Sequence, residues 1–258
     1  MSGRLRCVGV GMLLGGHLTP SARNAIESAD VVFVAVSDAL VEMWVQHLHP
    51  DVRSLQPHYR AGTSRRLSYL AMCEEILVEV RSGKSVCAAF YGHPGVFAWV
   101  AHEVIRQARI EGLSANMEPG ISAEDCLYAD LGIDPGTHGI THVEATQLML
   151  FTHQIDVSGY LVLWQVGVAG DRSLKRFATG QAYREILLEV LLRFYPASHS
   201  IIIYRAATSA LYDPRILQVM LGELPTADIE LADTVVLKPL RERELDPVIA
   251  ARLSALDA

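Results

Sequence analysis

Residues 85–97 read SVCAAFYGHPGVF. The first six, Ser85 to Phe90, are a short continuous apolar run with the β-branched and small residues of a strand buried on both faces, as in a parallel sheet. The chain then turns through Tyr91, Gly92, His93, Pro94 and Gly95 and continues into an apolar segment of helical character. Glycine at two places in so short a turn means that something approaches the backbone closely.

The same pattern repeats on either side. RLRCVGVGM reads as a buried strand, and TPSARNAIESA as a helix with Thr19 as N-cap and Pro20 at its first position. VVFVAV is a second strand. TSRRLSYLAMCEEILVEVRSG reads as a long helix from a Thr63 cap to Gly83. VFAWVAHEVIRQARIEG is a helix closing at Gly112, LSANMEPG a strand and turn, and ISAEDCLYADLG a short helix ending at Gly132. Strands alternating with helices imply a parallel α/β sheet. Beyond the polar segment FTHQIDVSG the strand YLVLWQVGVAG opens a second lobe, with AYREILLEVLLRFY as a helix, SIIIYRAA and TVVLKPL as strands and RERELDPVIAARLSALDA as a charged amphipathic tail. The expected lobes are residues 1–152 and a smaller, mixed α/β lobe, residues 153–258.

Composition bounds the function. The chain has 258 residues, half of them hydrophobic, and a formal charge of −7. Its scattered Lys and Arg argue against nucleic acid as a main partner, because phosphate neutralisation needs clustered cations. No run of eighteen apolar residues occurs and the N-terminus is broken by glycines, so a cytoplasmic protein without membrane span or signal peptide is expected. Four cysteines without CxxC spacing suit reduced core thiols. Ten histidines form no HExxH or helical His pair, so no metal site is expected.

Three glycine-bearing turns follow strands: GVGMLLGG, YGHPG and EPGISAED. Ligands of open α/β sheets bind beyond the carboxyl ends of strands. Gly9, Gly11 and Gly15 make a GxGxxxG that partly matches a dinucleotide fingerprint, but the next helix starts late and Asp30 precedes its strand instead of ending it. Three such turns favour a small-molecule cleft.

GVGM, YGHPGVF, EPGISAEDCLYADLGIDP and YRAAT resemble the S-adenosylmethionine-dependent tetrapyrrole methylases, over nearly the whole chain. FYGHPGVF and PGISAEDCLYADLGIDP are closer still to the borosin peptide α-N-methyltransferases, which methylate backbone amides of a ribosomally made peptide. The resemblance implies a two-lobed α/β fold, mostly parallel in the N-terminal lobe, with S-adenosylmethionine in the cleft. It assigns cofactor contacts to Gly11, Tyr91, His93, Pro94, Gly95, Val96, Phe97, Ser122 and Ala123, and in the shorter matching strings to Trp164, Ala206 and Thr234. Ser122 is also the expected cap of the helix that follows, with Glu124 and Asp125 in its first turn.

The borosin enzymes are similar in carrying a Tyr, Arg, Tyr, Tyr series, which here is Tyr59, Arg65, Tyr69 and Tyr91. An amide nitrogen is a poor nucleophile because its lone pair is delocalised into the carbonyl. Methylation needs the N–H proton removed and the resulting oxyanion stabilised. Arg65 and Tyr69, four apart on one helix face, would converge on one amide. Tyr69 is the expected base, Tyr59 and Arg65 the oxyanion donors, and Tyr91 the aligning residue. The chain stops after RERELDPVIAARLSALDA, without the core peptide that the fungal enzymes carry. A split enzyme is therefore expected, a homodimer binding two separate precursor peptides as a heterotetramer. A tetrapyrrole methyltransferase, which has no need of the Tyr and Arg series, and a cofactor-sensing scaffold are the competing readings.

Overall fold

The computed structural model describes residues 3–36, 38–60 and 62–257. Strands β1 (Arg4–Gly9), β2 (Val31–Ala35), β3 (Val52–Ser54), β4 (Ser85–Phe90) and β5 (Ser114–Met117) form a sheet in the order β3-β2-β4-β1-β5. Every pairing in it is parallel. Among the described residues five α-helices accompany it: α1 (Pro20–Glu27), α2 (Ala39–Leu48), α3 (Arg65–Arg81), α4 (Trp99–Ile110) and α5 (Ala123–Leu131).

Alternation along the strands builds two cores. Leu5, Cys7, Val31, Phe33, Val86, Ala88 and Phe90 face α3 and α4. Val8, Val32, Val34, Cys87 and Ala89 face the other way, against α1 and α2. Both sides are buried, which is why these strands read as continuous apolar runs.

Of these five helices, α1, α2 and α5 start on side-chain caps, and α3 and α4 do not. Thr19 accepts the Ala22 N–H at 3.1 Å, as its sequence position suggested. At α3 the N-cap is Ser64, not Thr63, and it makes no side-chain capping bond. The unsatisfied N–H of Arg65 instead donates to the carbonyl of Leu174 at 2.8 Å. A distant loop does the work of a cap. The helix ends at Arg81, before Gly83, whose φ of +94° reverses the chain.

The remaining elements are α6 (Pro135–His138), β6 (Ile140–Glu144), α7 (Ala145–Leu150), β7 (Tyr160–Trp164), α8 (Gln181–Leu191), β8 (Ser200–Arg205), β9 (Arg215–Met220), β10 (Thr234–Leu237) and α9 (Pro247–Ser254). Their sheet, β6-β7-β10-β8-β9, is mixed, with β6 parallel to β7 and β10 antiparallel to both its neighbours.

The chain divides into two compact units. The first comprises Met1–Ile133, Asp171–Arg176 and Arg205–Arg215, and the second Asp134–Gly170, Phe177–Tyr204 and Ile216–Ala258. The break expected at residue 152 falls inside the second unit, because β6 pairs with β7 and so draws residues before the polar FTHQIDVSG segment into that sheet. No helix among the described residues is long and apolar enough to cross a membrane.

The glycine turns of the first unit pack on one another. Gly11 and Gly92 exchange N–H···O bonds, both 3.1 Å. A Cβ placed on Gly9 would lie 2.1 Å from the Gly92 carbonyl oxygen, and one on Gly120 would lie 3.0 Å from the same atom and 3.2 Å from the Gly9 Cα. Backbone of one turn touches backbone of the next. Asp30 has a structural place here: its N–H donates to the Ser85 carbonyl and its carboxylate accepts the Ser85 N–H at 2.7 Å, pinning the start of β4.

Gly9→Ala is expected to cost about 3 kcal/mol or more, since the clash is with backbone and cannot be relieved by a rotamer. Thermal unfolding followed by circular dichroism should then show a midpoint lower by at least about 6 °C. Gly112→Ala, whose Cβ meets open space, costs only left-handed strain of about 1 kcal/mol. Equal losses in the two variants would refute the turn contact as the limiting constraint.

Candidate functional site

The turn after β4 is held from within. His93 Nδ1 accepts the Gly95 N–H at 2.9 Å, and His102 on α4 donates through Nε2 to the Gly95 carbonyl at 2.9 Å. A Cβ on Gly95 would come 2.7 Å from the Met117 sulfur. Val96 N–H bonds back to the His93 carbonyl at 3.3 Å. Phe97 leaves the turn at a φ of +50°, rare for a bulky residue, with nearly half its surface exposed. Strain of this kind collects at functional turns.

Beside it lies the start of α5, closed by a capping box. Ser122 Oγ accepts the N–H groups of Glu124 and Asp125, and Asp125 accepts the Ser122 N–H at 2.7 Å. Ser122 therefore fulfils its expected structural role. Of the more distant candidates, Ala206 is buried in the first unit, whereas Trp164 and Thr234 belong to the second. Trp164 donates its indole N–H to His142 Nδ1 at 2.9 Å, and Thr234 is paired within β10.

Tyr59, Arg65 and Tyr69 come together at the other end of α3. A 3-10 turn, Gln56–His58, delivers Tyr59, and α3 grips that turn twice: Ser68 Oγ donates to the His58 carbonyl at 2.7 Å, and His58 Nε2 meets Glu75 at 2.5 Å. The Tyr59 ring lies edge-on to Tyr69, centroids 6.1 Å apart and planes at 86°. Tyr69 in turn stacks on Trp99 at 6.0 Å. Burial, then the neighbouring Tyr69 and a hydrogen bond to it, push the Tyr59 phenol well above its ordinary range, with the Arg65 charge opposing. Tyr59 keeps its proton.

Arg65 is the most constrained member. Its Nη1 donates to the Arg176 carbonyl at 2.6 Å, and its Nη2 lies 3.7 Å from the carboxylate of Asp171. The Asp171 side chain is 2% exposed. Asp171 and Trp99 were invisible to motif reading. Nothing local in the sequence links Asp171 to Arg65, and an aromatic at a helix start is ordinary.

Tyr91 goes elsewhere. Side chains 86, 88 and 90 of β4 face α3, so position 91 falls by alternation on the opposite side, where Tyr91 packs against the α1 and α2 core. Burial first, then Cys126 and Asp38, raise its phenol to about 12 against the opposing charge of Arg205. Near it a cavity of about 350 Å³ opens among Leu13, His17, Ile121, Asp125, Cys126, Ala129, Asp130 and Ala207. No cluster of three or more His, Cys, Asp and Glu side chains that would hold a metal ion occurs among the described residues.

The two phenols carry a pH dependence. Unfolded tyrosine loses its proton near pH ~10, while Tyr91 holds its proton to about 12 and Tyr59 is also raised. Above that unfolded value the folded chain binds more protons than the unfolded one, so this contribution to stability is complete below about pH 10 and is lost as pH rises toward about 12. Urea unfolding at about pH 9 and 11 should show a smaller loss in Tyr59→Phe/Tyr91→Phe than in the wild type. Equal losses would contradict the assignment.

A family model described as Tetrapyrrole (Corrin/Porphyrin) Methylases matches residues 4–225. The uroporphyrin-III-C-methyltransferase of Thermus thermophilus has the same fold, with a TM-score of 0.67 over 93% of each chain at 21% identity. The chain is also 38% identical over 225 residues to a methyltransferase/ribosomally synthesized type I borosin cyclic peptide precursor of Coprinopsis marcescibilis, covering 86% of this chain and 58% of that protein. It is 36% identical over 213 residues to the methyltransferase/ribosomally synthesized cyclic peptide omphalotin A precursor of Omphalotus olearius, covering 83% and 51%. A type III borosin precursor protein of Anomoporia bombycina is 37% identical over 98% of this chain and 27% of its own length. The chain thus spans about half the length of the first two curated relatives. With the parallel sheet, the mixed sheet and the family match covering most of its length, the chain belongs to the tetrapyrrole (corrin/porphyrin) methylases.

Proposed function

We propose that this chain is an S-adenosylmethionine-dependent α-N-methyltransferase acting on backbone amides of a ribosomally made precursor peptide, with the peptide supplied as a separate chain and two precursors bound per homodimer. The observation that carries the reading is the cluster of Tyr59, Tyr69 and Arg65, a phenol pair in edge contact beside a guanidinium fixed by a buried carboxylate. Methylation of a tetrapyrrole carbon has no use for such a set. The names of the curated relatives, which join a methyltransferase to a ribosomal peptide precursor, support the same substrate class.

The turn residues fit the cofactor. The amino-acid end of a sulfonium nucleoside is recognised by fixed backbone N–H and C=O groups, and the Gly92–Phe97 turn is locked by His93, His102 and the Met117 sulfur while its outer side ends in an exposed Phe97. Gly11, Tyr91, His93, Pro94, Gly95, Val96, Phe97, Ser122 and Ala123 would hold that end, and Trp164, Ala206 and Thr234 would contact the adenosine. Bound there, S-adenosylmethionine supplies a methyl carbon on a positively charged sulfur, which leaves as a neutral thioether.

The chain's own residues activate the amide. The Tyr69 oxygen, as phenolate, takes the N–H proton and becomes a phenol, leaving an imidate whose in-plane nitrogen lone pair attacks the methyl carbon. Negative charge gathers on the amide oxygen, where the Arg65 guanidinium and the retained Tyr59 proton stabilise it. Tyr91, which packs on the opposite side of the sheet from this cluster, would act from the cofactor turn, orienting the methyl toward the nitrogen.

The test is tandem mass spectrometry of small proteins encoded near this gene, each incubated with purified enzyme and cofactor. Methylene-mass increments should localise to backbone nitrogens. Tyr69→Phe and Arg65→Lys should each lower the rate by about a hundredfold or more while equilibrium dialysis shows unchanged cofactor binding. Undiminished transfer in Tyr69→Phe would sink the base assignment, and transfer to uroporphyrinogen without transfer to peptide would sink the reading itself. Sedimentation of enzyme with precursor reads out the two-to-two assembly.

A further inference from the structure

The short loop from Asp171 to Arg176 belongs to the first unit although the chain on both sides of it belongs to the second. Its order centres on one carboxylate. Asp171 accepts the Ser173 N–H at 3.0 Å, the Ser173 hydroxyl at 2.6 Å and the Arg176 N–H at 3.0 Å. These bonds close an Asp-initiated turn, and Leu174 within it adopts a φ of +57°. The turn sends two carbonyls to the start of α3: that of Leu174 accepts the Arg65 N–H, and that of Arg176 accepts Nη1.

A carboxylate this deeply buried is costly unless its charge is compensated. Burial pushes the Asp171 carboxyl up, but the Ser173 hydroxyl, the two N–H groups and the Arg65 charge outweigh it and hold it below the usual range. It is therefore anionic. The 3.7 Å separation from Nη2 is too long for a hydrogen bond. Asp171 thus holds the guanidinium by charge while consuming none of its N–H groups, and only one of Arg65's five side-chain donors is spent on the loop.

We propose that Asp171 is a positioning residue for methyl transfer: through the loop that it organises, and through its charge, it fixes the Arg65 guanidinium beside the Tyr59–Tyr69 pair with its remaining donors uncommitted. The assignment rests on reading Arg65 as the cation that stabilises the amide oxyanion. Asp171 touches neither peptide nor cofactor in this role. It acts on the rate alone.

The experiment is a double-mutant cycle on the full chain. Asp171→Asn keeps shape and removes charge. It should lower kcat for peptide methylation by about ten- to a hundredfold, with KM for the precursor and the cofactor dissociation constant moved less than about twofold. In an Arg65→Lys background the same substitution should cost nothing further, because a residue acting through Arg65 has nothing left to lose. Ser173→Ala, which deletes one bond to Asp171 and leaves its charge, should give a smaller loss with the same dependence on Arg65, and serves if Asp171→Asn does not fold. Nitrogen-15 spectra of the Arg65 side chain should show slow rotation of the guanidinium in the wild type and fast rotation in Asp171→Asn.

Equal losses in the two backgrounds, or a kcat within about twofold of wild type, would overturn the proposal while leaving the peptide reading intact. Fast rotation of Arg65 in the wild type would overturn the clamp whatever the substrate. A wild-type enzyme with a restricted Arg65 that methylates no backbone amide would overturn the peptide reading, and the catalytic role of Asp171 with it.

Discussion

The close approach of Gly9, Gly11, Gly92 and Gly120 is the constraint on which the first unit depends. Two of these glycines exchange backbone hydrogen bonds, and the others stand where any Cβ would strike backbone. The contact joins the exits of β1 and β4, neighbours at the middle of the sheet. Glycine in these turns makes room for the chain itself. What is left on the outer side, from His93 to Phe97, is a rigid rim whose inner hydrogen-bonding groups are already satisfied.

Strand alternation then apportions the tyrosines. Tyr59 and Tyr69 pack with the α3 and α4 core, Tyr91 with the α1 and α2 core, and the sheet lies between the two layers. Two phenols and the Arg65 cation thus share one side of the sheet. The tyrosine of the glycine turn has a different environment, with Cys126, Asp38 and Arg205 in electrostatic range. Phenols of one sequence motif thus answer to different neighbours.

Much of this was legible in the sequence, for physical reasons. Strands buried on both faces announce themselves as apolar runs, as in β1, β2 and β4, and helices with side-chain caps, as α1 and α5, announce their starts. The unread strands lack such marks, whereas α2 went unread although Asp38 caps its start. β3 has three residues, all half-buried, β6 is a polar ITHVE, and β9 is mostly exposed. The Thr63 cap assigned to α3 was displaced because an N–H was satisfied by a carbonyl far along the chain. The i, i+4 relation of Arg65 and Tyr69 is helical geometry and could be read. The bond between Arg65 and its loop is tertiary, and no local pattern encodes it.

That bond has a consequence for how the protein comes to life. The Arg65 guanidinium meets the Arg176 carbonyl across 111 positions of chain. A ribosome adding about 5–20 residues per second finishes α3 on the order of ten seconds before the loop that completes its first turn exists. During that interval the nascent helix has an uncapped start and an untethered cation, while the tyrosine pair is already in the chain. The cluster of Tyr59, Tyr69 and Arg65 is thus completed late in synthesis, closed by a segment that returns from the second unit's portion of the chain to the first.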